Sequence, residues 1–233
     1  MGFVVAKAGR ERWGRRTRIP RHRHEHGYAA IVLDGGYVEI GDRGRLYLAA
    51  GDVAFHSGFE AHEDQFGSTG AEIFNLRLPS WRIPSFSVGR ITDPDAVVQR
   101  AERDPAEAIA SLMSALSPRA PHLSDWVDEL AAALLQDQAI SLTKWARSRG
   151  LAPETLSRRF RHVFGMSPSR FRTEARARRA WQSLCENEEP LACVALAMGF
   201  SDQAHMTRAV RALTGRTPGA WRTLHSPEIL HRS

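Results

Sequence analysis

Two stretches of the chain, SLTKWARSRGLAPETLSRRFRHVFGMSPSRFR (residues 141–172) and LACVALAMGFSDQAHMTRAVRALTGRTPGAWR (residues 191–222), repeat one another. Leu142, Ala146, Gly150 and Leu151 recur 49 positions later as Leu191, Ala195, Gly199 and Phe200. Leu156, Arg158, Phe160, Gly165, Pro168, Phe171 and Arg172 recur 50 positions later as Met206, Arg208, Val210, Gly215, Pro218, Trp221 and Arg222. One residue is therefore inserted just past the Gly–apolar pair. Self-similarity of this extent marks a duplicated supersecondary unit.

Each unit opens with a helix whose Leu and Ala lie four residues apart on one face. The Gly four residues after the Ala ends it, because Gly takes the left-handed cap conformation without penalty. An apolar residue fills the corner and a second helix begins; the small Ala lets the two helices cross closely, as in a helix-turn-helix. The second helix keeps Leu156 and Phe160, or Met206 and Val210, inward. Glu154, Thr155, Ser157 and Arg158, or Gln203, His205, Thr207 and Arg208, then face outward. Such side chains read base edges: Arg pairs with guanine, Gln with adenine, and Ser, Thr and His fit either role. Pro153 suits a first helical position. Ser201 is placed to cap the second reading helix and leave its N-terminus facing a phosphate.

Charge agrees with that reading. Residues 141–222 carry 15 Lys and Arg against 6 Asp and Glu, a balance of +9, whereas the remainder is at −3 within a net +6. A basic half joined to a mildly acidic half suits a polyanion-binding module attached to a unit with a different ligand. The longest apolar stretch, Leu191–Phe200, falls well short of the roughly 18 residues of a membrane span. The N-terminus runs into the basic stretch Arg10–Arg23 without an apolar leader, so a cytoplasmic protein with no membrane partner is expected. Cys185 and Cys193 are too few for a disulfide framework and read as small core residues in a reducing compartment.

Residues 141–222 resemble the DNA-binding domain of the AraC/XylS family of transcription regulators. The segment GFSDQAHMTRA (residues 199–209), followed by Gly215-Arg216-Thr217-Pro218, stands close to the family signature. The resemblance implies seven helices, with the two units joined by a long helix over about Pro168–Glu186 that carries Arg176, Ala180 and Leu184 in the family's pattern. It further implies two reading helices in successive major-groove segments on one DNA face, about 34 Å apart. Ala152 departs from the pattern where a capping Ser is common, and Ala175 and Ala177 depart where larger aliphatics are usual.

Ahead of this lies a strand-rich region. Ala29–Leu33, Tyr37–Ile40, Arg45–Leu48, Val53–His56 and Ile73–Leu78 are short β-branched and aromatic runs. They are separated by turn signals at Asp34-Gly35-Gly36, Gly41-Asp42-Arg43-Gly44 and Gly51-Asp52, which point to a small antiparallel sandwich or barrel. Residues 79–94 read as the exit from it. Helices are expected over Asp95–Glu102, Pro105–Leu116 and Ser124–Gln138, the last with Trp126, Val127, Leu130, Ala131, Leu134 and Leu135 on one face. Over His22–Pro79 the chain resembles the cupin-like sensing domain of many family members, through His22-Arg23-His24, Gly35, Gly51-Asp52 and His62. In metal-binding cupins such histidines, with a Glu, converge on a metal. Here Tyr28 stands in place of that Glu and Ser57 in place of a Pro. Strand alternation would put His22, His24 and His26 on one face, with His56 and His62 flanking a turn. Three imidazoles on one face suit a zinc-like divalent metal; lining a polar pocket or decorating a basic strand edge are the other readings. Trp13, Tyr28, Tyr37, Phe55 and Phe66 are candidates to line an apolar ligand pocket.

The expected fold is α+β: a small cupin-like β-barrel or sandwich (1–80) for sensing or dimerisation, a helical linker region (81–123), and an all-α DNA-binding domain with two helix-turn-helix units (124–233). The leading function is a sequence-specific DNA-binding transcription regulator, not an enzyme, whose front domain senses a small molecule or metal. The candidate metal ligands are His22, His24, His26 and His62. Partners would be double-stranded DNA, a small-molecule effector, a second copy of the chain and, for an activator, RNA polymerase. Two alternatives are a metal-dependent cupin enzyme with an accessory DNA-binding domain, and a constitutive regulator whose front domain only dimerises.

Overall fold

A computed structural model of the chain describes residues 8–79, 84, 86–120, 122, 125–136 and 140–225. The fold is α+β, with an antiparallel sheet of eight strands and nine helices among the described residues. It divides into two compact units, Met1–Asp128 and Glu129–Ser233. Expected segments 1–7, 80–83, 85, 121, 123–124, 137–139 and 226–233 lie outside the described residues, including the start and end of the helix read over Ser124–Gln138.

The first unit is organised by two long strands, β3 (Tyr28–Gly41) and β6 (Ala61–Arg77), which pair antiparallel along most of their length. Each is long enough to serve two partners. β3 pairs with β5 (Asp52–His56) through Tyr28–Ile31 and with β4 (Gly44–Ala49) through Gly36–Gly41. β6 pairs with β2 (Arg18–Arg23) at one end and with β1 (Gly9–Trp13) at the other. The signal at Asp34-Gly35-Gly36, expected as a turn, is instead an irregularity within β3, where the register to β6 shifts on either side of Asp34 and Gly35. Gly35 sits at φ 68°, and a Cβ there would lie 2.2 Å from the Gly70 carbonyl oxygen. Only glycine permits the two bent strands to approach this closely. The turn at Asp42–Arg43 occurs as expected, and the one read at Gly51-Asp52 falls one residue earlier, at Ala50–Gly51, with Asp52 opening β5.

The basic stretch at the N-terminus becomes β1 and β2 because β6 offers it carboxylates. Arg10 and Arg12 bond to Glu72 at 2.8 and 2.9 Å, and Arg18 bonds to Glu63 at 3.0 Å. Exposed pairs of this kind add little energy singly, but they match sign across the strands.

β3 is buried on both faces, as a strand covered on two sides must be. Ala29 and Ile31 join Phe55, Phe74, Leu76 and Leu78 on one side. Tyr28, Ala30 and Val32 join Tyr37, Phe66 and Ile73 on the other. The first side is covered by α1 (Pro94–Ala101) and α2 (Pro105–Ala115). Asp93 caps α1 by accepting from Ala96 N, and Asp104 caps α2 by accepting from Ala106 N and Glu107 N. Their apolar Val97, Val98, Ala108 and Leu112 are at most 2% exposed and share the cluster of Ile31 and Phe55. Within the region expected as a helical linker (81–123), Val88, Ile91, Val97, Val98, Ala108 and Leu112 are therefore core residues of the first unit. The exit stretch also holds β7 (Val88–Arg90), paired to β5 and to β8 (Ser117–Arg119). Linker-like Pro and Ser content concealed three strand residues whose Val88 is fully buried.

The remaining helices are α3 (Trp126–Gln136), α4 (Leu142–Ser148), α5 (Pro153–Phe164), α6 (Pro168–Glu186), α7 (Leu191–Ala197), α8 (Gln203–Thr214) and α9 (Pro218–His225). Ala175 and Ala177 of α6 are buried, so their small size matches close packing on that helix. Of the two cysteines read as core residues, Cys185 is half-buried and Cys193 is exposed on α7. No helix among the described residues is long and apolar enough to cross a membrane.

Candidate nucleic-acid interface and ligand cavity

The two repeated units fold alike down to single hydrogen bonds. Leu151 N–H donates to the Ala146 carbonyl at 2.9 Å, and Phe200 N–H donates to the Ala195 carbonyl at 2.9 Å. Gly150 and Gly199 turn between them at φ 63° and 75°. Gly165 and Gly215, at φ 68° and 79°, close α5 and α8 by donating to Arg161 and Arg211 carbonyls. Ala146, Leu156 and Phe160 are at most 1% exposed, as are Ala195, Met206 and Val210. The inserted residue lies in the second turn, where Ser201 and Asp202 stand against the single Ala152.

On α5, Glu154, Thr155 and Arg158 are exposed and Ser157 is half-buried. On α8, Gln203 and Arg208 are exposed, and His205 and Thr207 are half-buried. The expected cap assignment needs correction on α8. Asp202, not Ser201, is the N-cap and accepts from His205 N at 2.7 Å; Ser201 donates its hydroxyl to Asp202 at 3.0 Å. The backbone N–H of His205 and the Ser201 hydroxyl hold the Asp202 carboxyl below its usual range. A carboxylate now occupies the anion-favouring end of this helix. The His205 ring is also engaged, its Nδ1 lying 3.1 Å from Ser201 Oγ and its plane set edge-to-face with the Phe200 ring. On α5, Ala152 supplies no side-chain cap and Pro153 occupies the first turn.

The strand unit carries a half-open cavity of about 420 Å³. Its polar end is a histidine cluster. The His22 ring lies 4.7 Å from His24 and 4.4 Å from His62, and His62 lies 4.7 Å from His56. Ligand atoms of His22, His24 and His62 lie within 4.8 Å of one another. The Tyr28 hydroxyl is 3.3 Å from His62 Nε2, and the Tyr28 ring stacks on His56. His26 does not join them. β2 ends at Arg23, the chain bends at Glu25–His26, and alternation ceases, leaving His26 exposed. Phe55 also departs from the expected pocket: alternation on β5 turns it to the opposite core, against Phe86. Trp13, Tyr28, Tyr37 and Phe66 do line the cavity.

Sequence reading missed two carboxylates. Glu39 and Asp64 are directly opposite across β3 and β6, and both line the cavity. They are 3% and 7% exposed. Glu39 Oε2 is 3.3 Å from His56 Nε2, and Asp64 Oδ2 is 3.8 Å from His62 Nε2. The signal was present: His62, Asp64 and Phe66 alternate on β6, as Tyr37 and Glu39 do on β3. Burial, followed by the charges of Glu63 and Glu11, pushes the Asp64 carboxyl up to about 8. Burial, then Asp64 and Glu60, raises Glu39 well above its usual range. Burial holds His56 and His62 well below the usual imidazole value, with the neighbouring histidines adding to the effect. Neutral imidazole is the form that ligates a metal, and burial favours that form at His56 and His62. Zinc at about 2.0–2.1 Å from each nitrogen would need the ligands ~3.4 Å apart, a modest contraction of His22, His24 and His62. The donor set fits a borderline divalent ion.

Residues 145–223 match the family described as a helix-turn-helix domain. This stretch is a helix-turn-helix domain. The chain is 33% identical over 81 residues to the virulence regulon transcriptional activator VirF of Yersinia enterocolitica, and equally to the thermoregulatory protein LcrF of Yersinia pestis. These matches cover 35% of this chain and 30% of each relative, so the chain spans about a third of the length of the curated relatives it matches. Among solved structures, a transcriptional regulator from Chromobacterium violaceum described as containing an AraC-type DNA-binding domain is 25% identical. It covers 43% of this chain and 92% of its own, at a TM-score of 0.40.

Proposed function

We propose that the protein is a sequence-specific DNA-binding transcription regulator. In this reading α5 and α8 enter successive major-groove segments, and the strand unit, a small cupin-like barrel, senses a ligand. The observation that carries it is the duplicated turn, with the same hydrogen bond at Leu151 and Phe200 and the same cap at Gly165 and Gly215. A chain that builds one helix-turn-helix twice presents two reading surfaces. Arg158 and Arg208 are exposed arginines at matching positions of the two helices, and each suits a guanine edge. Glu154, Thr155 and Ser157, and Gln203, His205 and Thr207, flank them. Sensing is supported by the cavity, whose volume lies within the range of small-molecule sites. The occupant is a small molecule, or a divalent ion held by His22, His24 and His62 with Tyr28 beside them.

Hydroxyl-radical footprinting of the full chain on selected genomic sites tests the DNA reading. The expected result is two protected major-groove segments about 34 Å apart on one face, with affinity falling steeply as salt rises. Protection of a single segment would falsify the two-helix mode.

A further inference from the structure

The cavity in the strand unit has a chemical bias that its histidines obscure. Glu39 and Asp64 face each other on neighbouring strands, almost wholly buried, and no Lys or Arg among the described residues lies within ion-pair distance of either. Like charges directly opposite in a sheet are unfavourable, and a buried carboxylate without a counter-charge is costly. Asp64 Oδ1 has no hydrogen-bond partner. Glu11 adds a third carboxylate to the lining, bonded to Asn75 Nδ2 at 3.3 Å. Besides its histidines, the described lining holds one Arg and no Lys: Arg21, whose charge is matched by Asp42 beyond the cavity, although its Nε is unpaired.

The wall beyond the carboxylates is aromatic. Phe66 stacks on Tyr37 at 5.2 Å and on Trp13 at 5.7 Å. Aromatic faces attract cations, Trp most strongly, and they also cover an apolar body. The space, about 420 Å³, is far larger than a bare metal ion needs. We infer that the cavity takes a small organic cation, a protonated amine, amidine or quaternary ammonium on an aromatic or apolar body, with its charge at Glu39 and Asp64 and its body against Trp13, Tyr37 and Phe66. This inference rests on reading the strand unit as the sensing domain.

The test uses full-length protein freed of metal with EDTA and dialysed. Benzyltrimethylammonium, 2-phenylethylamine and benzamidine are titrated by calorimetry beside neutral 2-phenylethanol, anionic 3-phenylpropionate and zinc chloride. At least one cation binds about tenfold or more tightly than both the alcohol and the carboxylate, as expected of a charge-selective site. Glu39→Gln and Asp64→Asn each lose about tenfold of that affinity, with circular dichroism confirming the fold, while Glu63→Gln, whose carboxylate bonds Arg18, binds as the parent does. Should either cavity variant fail to fold, the charge series on the parent protein decides alone. Equal or tighter binding of the alcohol or the carboxylate overturns the inference. So does refusal of all three cations, whether or not zinc binds. Retention of genomic fragments is measured on the same samples. Cation binding without DNA binding removes the regulator reading and leaves this one standing, and DNA binding without cation binding does the reverse.

Discussion

The indole N–H of Trp221 donates to the hydroxyl oxygen of Thr214 at 2.8 Å, seven residues back across the turn from α8 to α9. The first repeat solves the same junction differently: Phe164 and Phe171, the matching positions, meet ring to ring at 5.4 Å. Thr214 is buried and also donates to the Val210 carbonyl at 2.9 Å. Thr214→Val removes the acceptor and is expected to destabilise the helical unit by about 1–3 kcal/mol, read as a shift in urea midpoint. Adding Trp221→Phe takes away the donor as well. The double variant should lie above the sum of the single effects, because the orphaned polar group has gone.

Base reading predicts a different signature. Arg158→Ala and Arg208→Ala should each cost about 1–3 kcal/mol on the selected operator, with much less lost on unrelated DNA. Competition binding against both DNAs measures the ratio. Two variants that hold the operator as the parent does would remove these arginines from the reading surface.

Arg45 forms a forked pair with Asp128, Nε to Oδ1 at 3.0 Å and Nη2 to Oδ2 at 2.8 Å, and lies 3.2 Å from Asp125. Asp128 is 2% exposed. Removing one partner of a buried pair is usually worth several kcal/mol, but Asp125 retains part of the charge match. Asp128→Asn should therefore cost about 2 kcal/mol, seen as a lower melting temperature of the strand unit. Arg45→Met with Asp128→Leu should recover most of it.

The two thiols should separate in reactivity. Burial, reinforced by the charge of Glu186, pushes the Cys185 thiol up to about 12. Cys193 is exposed on α7. Since thiolate is the reacting form, iodoacetamide at pH 8 should label Cys193 and leave Cys185 largely unmodified. A folded-state value raised above the unfolded one gives stability that is intact below about pH 9 and lost as pH rises towards 12. In a Cys193→Ser variant, labelling should thus set in only across that interval. Equal labelling of both thiols at pH 8, followed by peptide mass mapping, would contradict it.

The helical unit was legible because local rules govern it. Pro153, Pro168, Gly150, Gly165, Gly199 and Gly215 punctuate helices through backbone conformation alone, so their bounds follow from sequence to within a residue or two. The strand unit was less so. Gly35 has a turn's composition but serves the approach of β3 to β6, a requirement visible only when Gly70 faces it. The histidines at 22, 24 and 62 were found, whereas His26 was assigned by extending an alternation past the end of β2. Glu39 and Asp64 escaped notice because buried carboxylates are rare, and an acidic residue between apolar neighbours ordinarily reads as solvent-facing.

The pairing of β1 with β6 sets the two units apart in time. Gly9 must find Asn75 and Trp13 must find Ala71, so the outermost strand has no partner until nearly sixty residues beyond it have left the ribosome. The corner bonds of the helical unit close over five residues, from Leu151 to Ala146 and from Phe200 to Ala195. Contacts so local form early, and ladders so distant form late. The strand unit, though synthesised first, is then the slower to complete, and its half-paired β3 is the segment most exposed to chaperones and proteases during synthesis.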